Sequence, residues 1–381
     1  MAAVEVTIAP AVLEWAIRRT GLSDDDLSAQ FPKLDQWVSR EAKPTLAQAR
    51  KLADKAHVPF AFLLLEAPVA DNSGVADFRT VRSAAIAELS PELQDVLTAA
   101  ESRLAWYADH SEASGVEPPA IFASVPGGVS VREAAQETRA VLGLPPEVPL
   151  KGSEKVLSLA RSMEDAGLLV SRNSIVGNST KRSLNVEEFR GFTIEDSGFV
   201  LVFVNTNDAK TAQLFSLAHE LGHVVRGKPG LSDHSDRQEL EQWCNEFAAE
   251  FLAPGEAVRQ GYKSGEVLDE VDAVSRRFGL SREASLLRLQ KLNLITKADA
   301  AEAYPVLMGA KPNEGESRTG APQFPVLVRA RVGERFFDTL TQAAVDGQVS
   351  DMEAARYLGA RSFDNFQNLV AKRRPIGMQG A

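Results

Sequence analysis

Apolar and polar positions along this chain follow two different periods, and the change between them marks its parts. From residue 10 to 66 the apolar residues recur at helical spacing in short runs. Ala11 to Arg19 is amphipathic and ends at Gly21. Ser23 can N-cap the next helix, with Asp26 three residues on. Phe31-Pro32 breaks that helix, and Leu34 to Arg40 predicts a third. Pro44-Thr45 starts a fourth, with Leu46, Ala49, Leu52 and Ala53 on one face. Val58-Pro59 opens a last apolar helix ending near Leu65. Asp71-Asn72-Ser73-Gly74 then reads as a linker, followed by Ala76-Asp77-Phe78-Arg79-Thr80 as a packing segment. Ser90-Pro91 starts a long helix through about Ala108. Ser114-Gly115, Pro118-Pro119 and Pro126-Gly127-Gly128 mark a loop-rich crossover. Ser130 with Glu133 opens a further helix, closed by Gly143.

The pattern changes near Ser153. A helix to Ala166 is followed by a strand at Leu168 to Ser171. Phe189 to Ile194 and Phe199 to Val204 predict paired strands around Asp196-Ser197-Gly198. If the next helix carries the metal site of a zinc peptidase, likeness to such enzymes implies that the strand before it offers its edge to an extended peptide. Gly191 fits either close approach or a bulge. Helical spacing then returns, first around Phe215 to Val225, then from Arg237 to Leu252, closed by Pro254 and Gly255. Val267 to Phe278 and Arg282 to Leu292, joined by Gly279-Leu280-Ser281, form a second helical pair. Ala284, Leu287 and Leu292 fit a core face there; Arg282, Arg288 and Lys291 would serve a basic partner surface. Thr296 to Pro325 is poorly patterned, with 311–322 flexible. Phe336 to Ala344, Ser350 to Leu358 and Phe363 to Ala371 predict three short helices, with Lys372-Arg373-Arg374 beyond them. The expected class is α+β, mainly helical, with one small β-sheet. Expected domains are 1–68, a helical linker region 69–150, a catalytic domain 151–300, and a helical module 323–374.

Chemistry enters at His219-Glu220-Leu221-Gly222-His223. On a helix the two imidazoles sit one turn apart and can ligate one metal ion. Glu220 between them can act as general base. A zinc peptidase needs a third protein ligand. Downstream carboxylates are Asp233, Asp236, Glu239, Glu241, Glu246 and Glu250. In the helix 237–252, Leu240, Trp243, Cys244, Phe247, Phe251 and Leu252 occupy one arc of the wheel. Glu241 falls within that arc, Glu239 and Glu246 outside it, and Glu250 near its edge. A carboxylate on a buried face is costly unless paired or metal-bound, which favours Glu241. The other reading has Glu241 at the mouth of the arc, snorkelling to solvent. Gly222 provides either room beside the metal or space for helix packing. Tyr262, His234 and Arg226 are candidate oxyanion donors. Cys244 is read as a small core residue beside the site, with a fourth-ligand role as the alternative.

Three stretches together carry a family resemblance: Phe199 to Asn205; Leu217-Ala218-His219-Glu220-Leu221-Gly222-His223; and Glu241-x-x-x-Asn245-x-Phe247-Ala248-Ala249-x-x-Leu252-x-Pro254. The chain resembles the ImmA/IrrE metallopeptidases over residues 150 to 295. That resemblance implies a zincin-like catalytic domain, with zinc (or Mn²⁺) held by His219, His223 and Glu241 and with Glu220 catalytic. It implies a protein substrate, a helix-turn-helix repressor whose cleavage relieves repression in a stress response or mobile-element induction. Ala253 departs from the family, which usually has Met there. Gly21-Leu22-Ser23, Trp37, Lys43-Pro44-Thr45 and Val58-Pro59 resemble lambda/Cro-repressor-like helix-turn-helix domains. Residues 1–66 hold eight Lys/Arg and nine Asp/Glu, so DNA and protein both stand as partners of this module. Two alternatives differ in class: a non-catalytic DNA-binding regulator, and an antitoxin-like partner in a toxin–antitoxin system.

Composition narrows the setting. At 381 residues more than one core is expected. The single cysteine excludes a disulfide framework. No apolar run is long enough to span a bilayer and no signal-like leader is seen, which together predict a cytoplasmic protein with no membrane partner. The net charge of −10 argues against broad nucleic-acid binding.

Overall fold

The computed structural model describes residues 5–20, 22, 24–56, 58, 60–68, 89–228, 234–309, 324–360 and 362–371; side chains of 24 and 234–237 are outside it. The chain falls into two compact units, residues 1–99 and 100–381.

The first unit contains α1 (Pro10–Arg19), α2 (Asp24–Gln30), α3 (Leu34–Val38) and α4 (Leu46–Lys55), then a 3-10 turn, Phe60–Leu64. Pro10 occupies the first turn of α1, where its missing N–H costs nothing. Thr45 caps α4: its hydroxyl accepts from the Gln48 N–H at 3.3 Å, and the Gln48 side chain accepts from the Thr45 N–H at 2.8 Å. Val12, Trp15, Ala16, Phe31, Trp37, Leu52 and Leu63 form the core. The third helix is shorter than expected because Arg40 turns left-handed, at φ 66°. The last expected helix is only a 3-10 turn. The expected cap at Ser23, the helix-opening Pro59, the linker 71–74 and the packing segment 76–80 lie outside the described residues.

A long helix, α5 (Pro91–Ala113), crosses the boundary between the units. The second unit continues with α6 (Val131–Val141), α7 (Lys155–Asp165), β1 (Leu169–Asn173), β2 (Gly191–Asp196), β3 (Phe199–Asn205), α8 (Lys210–Arg226) and α9 (His234–Leu252). Then come α10 (Gly255–Gly261), α11 (Val267–Phe278), α12 (Arg282–Lys291), α13 (Lys297–Gly309), α14 (Phe324–Val332), α15 (Glu334–Val345), α16 (Asp351–Leu358) and α17 (Phe363–Val370). The described residues are thus mostly helical, with one three-stranded sheet.

The sheet has order β1-β3-β2, with β1 parallel and β2 antiparallel to β3. Ser197 and Gly198 join β2 to β3 with φ of 53° and 83°, the geometry of a type I′ hairpin. Val200, Val202 and Val204 of β3 face the main core with α8, while Phe199, Leu201 and Phe203 alternate to the other face. There Tyr107 of α5 meets Phe199 edge-on at 5.7 Å, and Phe203 stacks on Phe192 at 4.9 Å. Every residue of β3 is buried, which explains its near-continuous apolar sequence. The edge expectation needs correction. The strand before the metal helix is β3, and both its edges are paired; the outer strand beside the site is β2.

Two further expectations change. The poorly patterned stretch after Thr296 holds α13, and α14 begins within it at Phe324. Thr296 caps α13 with Asp299, a local signal that the internal Pro305 obscures. Residues 311–322 and 372–374 lie outside the described residues. On α12, Ala284 and Leu292 pack against the core as expected, beside the buried Ser285, Leu286, Arg288 and Leu289, whereas Leu287 is 53% exposed. α14 and α15 pack against β1. Among the described residues no helix is long and apolar enough to cross a membrane.

Candidate metal centre

α8 and α9 pack face to face and bring three donor groups together. His219 and His223 project from one side of α8 at i, i+4 spacing. Their Nε2 atoms are 3.2 Å apart. Glu241 on α9 reaches across, with one oxygen 3.2 Å from His219 Nε2 and the other 3.4 Å from His223 Nε2. The structure thus places Glu241 toward the histidines. Its side chain is nonetheless 44% exposed, so Glu241 sits at the mouth of the buried arc. The remaining residues of the arc follow the expected pattern: Leu240, Cys244, Phe247, Phe251 and Leu252 are buried and Trp243 packs against them.

The competing carboxylates have other partners. Glu250 pairs with Arg288 of α12 and accepts the Gly255 N–H at 3.0 Å. Glu246 meets Lys291 at 2.8 Å, and Glu239 is exposed. Arg288 is consequently a buried ion-pair partner, not part of a basic surface. Asp233 and the Asp236 side chain lie outside the described residues.

The electrostatics suit a cation. Burial alone would raise the Glu241 carboxyl, but hydrogen bonds from His219 and His223 hold it well below the usual carboxylate range. Burial alone would lower His223; hydrogen bonds to Cys244 and Glu241, with the Glu220 charge nearby, lift it well above an ordinary imidazole. Without metal, this pocket keeps a proton where a metal would bring positive charge. The Cys244 thiol itself is pushed up by burial.

Neighbouring elements position these groups. Asn245 Oδ1 lies 3.0 Å from His219 Nδ1. A proton on Nδ1 donating to that oxygen leaves the Nε2 lone pair facing Glu241 and His223. Thr193 of β2 donates its hydroxyl to Glu220 Oε2 at 2.8 Å. Gly191, also on β2, makes room for Glu220: a Cβ there would lie 2.9 Å from the Phe203 carbonyl and 3.1 Å from Glu220 Oε1. Close approach, not a bulge, explains this glycine, since β2 pairs regularly through it. Gly222 has a different reason. A Cβ there would meet the Cys244 Sγ at 3.1 Å and its Cα at 3.3 Å, so helix packing is what it serves.

Two of the oxyanion candidates, Tyr262 and Arg226, engage other groups. The Tyr262 hydroxyl donates to the Leu294 carbonyl at 2.7 Å. Arg226 donates to the Pro126 carbonyl and covers the Trp243 ring at 4.9 Å. The His234 side chain lies outside the described residues. Asn245 and Thr193 carry no assigned role in the sequence reading. Asn245 had a usable signal, standing one turn after Glu241 on the same helix; Thr193 had none.

A family model described as the IrrE N-terminal-like domain, Peptidase_M78, matches residues 164–290. The match spans the sheet, both histidines, Glu220 and Glu241. It supports the ImmA/IrrE family. With it comes a metallopeptidase-like reading of this domain. A Mycobacterium tuberculosis transcriptional regulator of known structure is 18% identical, over 50% of this chain and 51% of that one, at a TM-score of 0.28. The chain thus spans about half the length of that regulator, and a likeness this distant carries no functional argument. The search of curated proteins gave no match.

Proposed function

We propose that this chain is a zinc-dependent endopeptidase with a regulatory role. His219, His223 and Glu241 would hold the ion, and Glu220 would serve as general base. The observation that carries this reading is the spacing of the donor groups: the two imidazole Nε2 atoms are 3.2 Å apart, one Glu241 oxygen is 3.2 Å from His219 Nε2, and the other is 3.4 Å from His223 Nε2. Tetrahedral ligands at about 2.0–2.1 Å from a zinc ion stand about 3.3 Å apart, so the donors fit the ion. Mn²⁺ is the alternative ion for the same site. A purely structural zinc fits less well, because such sites prefer four Cys or His ligands.

When bound, zinc supplies a Lewis acid that acidifies water to a pKa of about 7 and polarises the scissile carbonyl. The chain's own residues handle the proton. Thr193 holds Oε2 of Glu220, which leaves Oε1 to accept a proton from the attacking water. Glu220 then delivers that proton to the departing amine. Asn245 fixes His219 in the tautomer that ligates through Nε2. The zincin-like description of the domain rests on this helix-borne site beside a small sheet.

The substrate we propose is a helix-turn-helix transcriptional repressor, cleaved to relieve repression. The N-terminal unit is read as a lambda/Cro-repressor-like module that contacts protein. Lys33 and Arg40 are exposed, but so are Asp25, Asp26, Asp35 and Glu41, and such a mixed face favours a protein partner over the phosphate backbone. Co-expression with the helix-turn-helix repressor encoded nearest the gene tests this. Wild type should shorten the repressor and Glu220→Gln should leave it whole. A repressor left intact by wild type would remove it as the substrate.

A further inference from the structure

Four arginines are buried among the described residues: Arg103, Arg139, Arg288 and Arg331. Two have acceptors. Arg139 donates to the carbonyls of Pro145, Phe251 and Val148. Arg288 pairs with Glu250 and donates to the Ala253 carbonyl at 3.0 Å. Arg103 and Arg331 differ. Arg103 is 7% and Arg331 8% exposed, and the Nε of each is buried without an acceptor. Among the described residues neither guanidinium donates a hydrogen bond or meets a carboxylate. They also face each other electrostatically: burial, then the charge of Arg331, lowers the Arg103 pKa to about 10. Arg103 therefore remains charged at neutral pH, and Arg331 carries the same guanidinium, a group charged throughout the physiological range. Two buried like charges without a counter-charge are costly, and native chains rarely retain them.

Their surroundings belong to the rear of the sheet, away from the metal centre. Arg103 stands one turn before Tyr107, which meets Phe199 on that face. Ser171 of β1 pairs in register with Phe203, so it shares the same face; its hydroxyl is wholly buried and also lacks a partner. Arg331 lies at the end of α14 beside Gly359, where a Cβ would come within 3.5 Å of its Nη1 and 3.0 Å of Asn178 Nδ2. Trp106 packs against Phe336 at 5.6 Å and Tyr357 at 6.0 Å.

We propose that Arg103 and Arg331 form a binding site for a phosphate group, enclosed between α5, α14 and the end of α16. Two planar guanidinium forks match the charge and the oxygen geometry of a dianionic phosphate, whereas one carboxylate would neutralise only one of them. The bound group would tie α5 to α14 across the back of the sheet. Its source is either inorganic phosphate or a phosphomonoester.

The test uses the full chain and inorganic phosphate, by equilibrium dialysis and thermal unfolding, against chloride at equal ionic strength. Wild type should bind one phosphate saturably and melt about 2–4 °C higher when saturated. Arg103→Met and Arg331→Met should each weaken binding at least about tenfold, lose the thermal shift, and melt no lower than wild type in chloride, since each removes an unpaired buried charge. Glycerol phosphate distinguishes the sources: a matching shift means that an ester is admitted, and no shift assigns the site to the free ion. No saturable binding to wild type would overturn the proposal. So would an equal phosphate shift in both variants, because phosphate stabilises proteins generally.

Discussion

At the scale of single residues, hydrogen bonds hold the proposed ligands in place. Asn245→Ala frees the His219 ring, so zinc affinity should fall about 10- to 100-fold in chelator competition, while Asn245→Asp, which keeps an acceptor, should retain it. An affinity unchanged in Asn245→Ala would remove Asn245 as the orienting group. The pH dependence follows from His223 and Glu241. A folded His223 raised above its unfolded value of about 6.5 adds stability to the metal-free chain below that pH, and this is lost as pH rises through its folded value. Glu241, held low, adds stability above about 4.3 that is lost as pH falls through its folded value. A metal held by His223, as proposed, would displace its proton, so the rise in melting temperature on adding zinc should grow from pH 6 to pH 8. A zinc effect that shrinks over that range would contradict this. His219, Glu220 and His223 were legible in the sequence because their relation is local to one helix. Glu241 was legible through helical phase. Thr193 was not, because its bond to Glu220 joins a strand to a helix 27 residues on.

At the scale of elements, two glycines set how closely the metal helix can be approached. Gly222→Ala gains about 1 kcal/mol of helix propensity but presses on Cys244, and overpacking typically costs about 1–3 kcal/mol. The net should be a loss of up to about 2 kcal/mol, read from urea unfolding. Gly191→Ala differs, because its Cβ meets the Phe203 backbone and Glu220 together. Cleavage should fall more than stability does, since Glu220, the proposed general base, is displaced. Equal losses in both would make Gly191 a packing residue only. Periodicity predicted the sheet strands, α6, α8, α9 and α11 well, because each carries a clear apolar face or a capping signal. It misplaced Leu287 and Arg288 on α12, where the buried Arg288 hides on the core side as an ion-paired residue. It missed α13, whose Tyr304, Val306 and Met308 leave apolar residues exposed and blur the stripe.

At the scale of the molecule, a buried acid links the C-terminal helices to the sheet domain. Glu164 Oε1 accepts the Arg335 N–H at 3.1 Å, and Arg335 in turn donates to the Glu164 carbonyl and the Tyr107 hydroxyl. Burial pushes the Glu164 carboxyl up to about 8, with the Glu334 charge adding to it and the Arg335 N–H opposing. The folded chain therefore holds a proton that the unfolded chain releases near 4.3, and stability should decline as pH climbs from there to about 8. Glu164→Gln should flatten that slope in melts across pH 5 to 9; an unchanged slope would place its origin elsewhere. For the N-terminal unit, gel shifts on promoter DNA at two salt concentrations separate the partners. The mixed face predicts no salt-sensitive complex, and tight binding that weakens steeply with salt would make this unit a DNA reader instead.

The most direct test of the central claim compares zinc content and cleavage in purified wild type, Glu220→Gln and His223→Ala. Glu220→Gln keeps all three ligands, so it should carry zinc near the wild-type level yet lose cleavage. His223→Ala removes a ligand and should lose both. Proteolysis retained in Glu220→Gln, with its zinc intact, would contradict the account and favour a non-catalytic regulator.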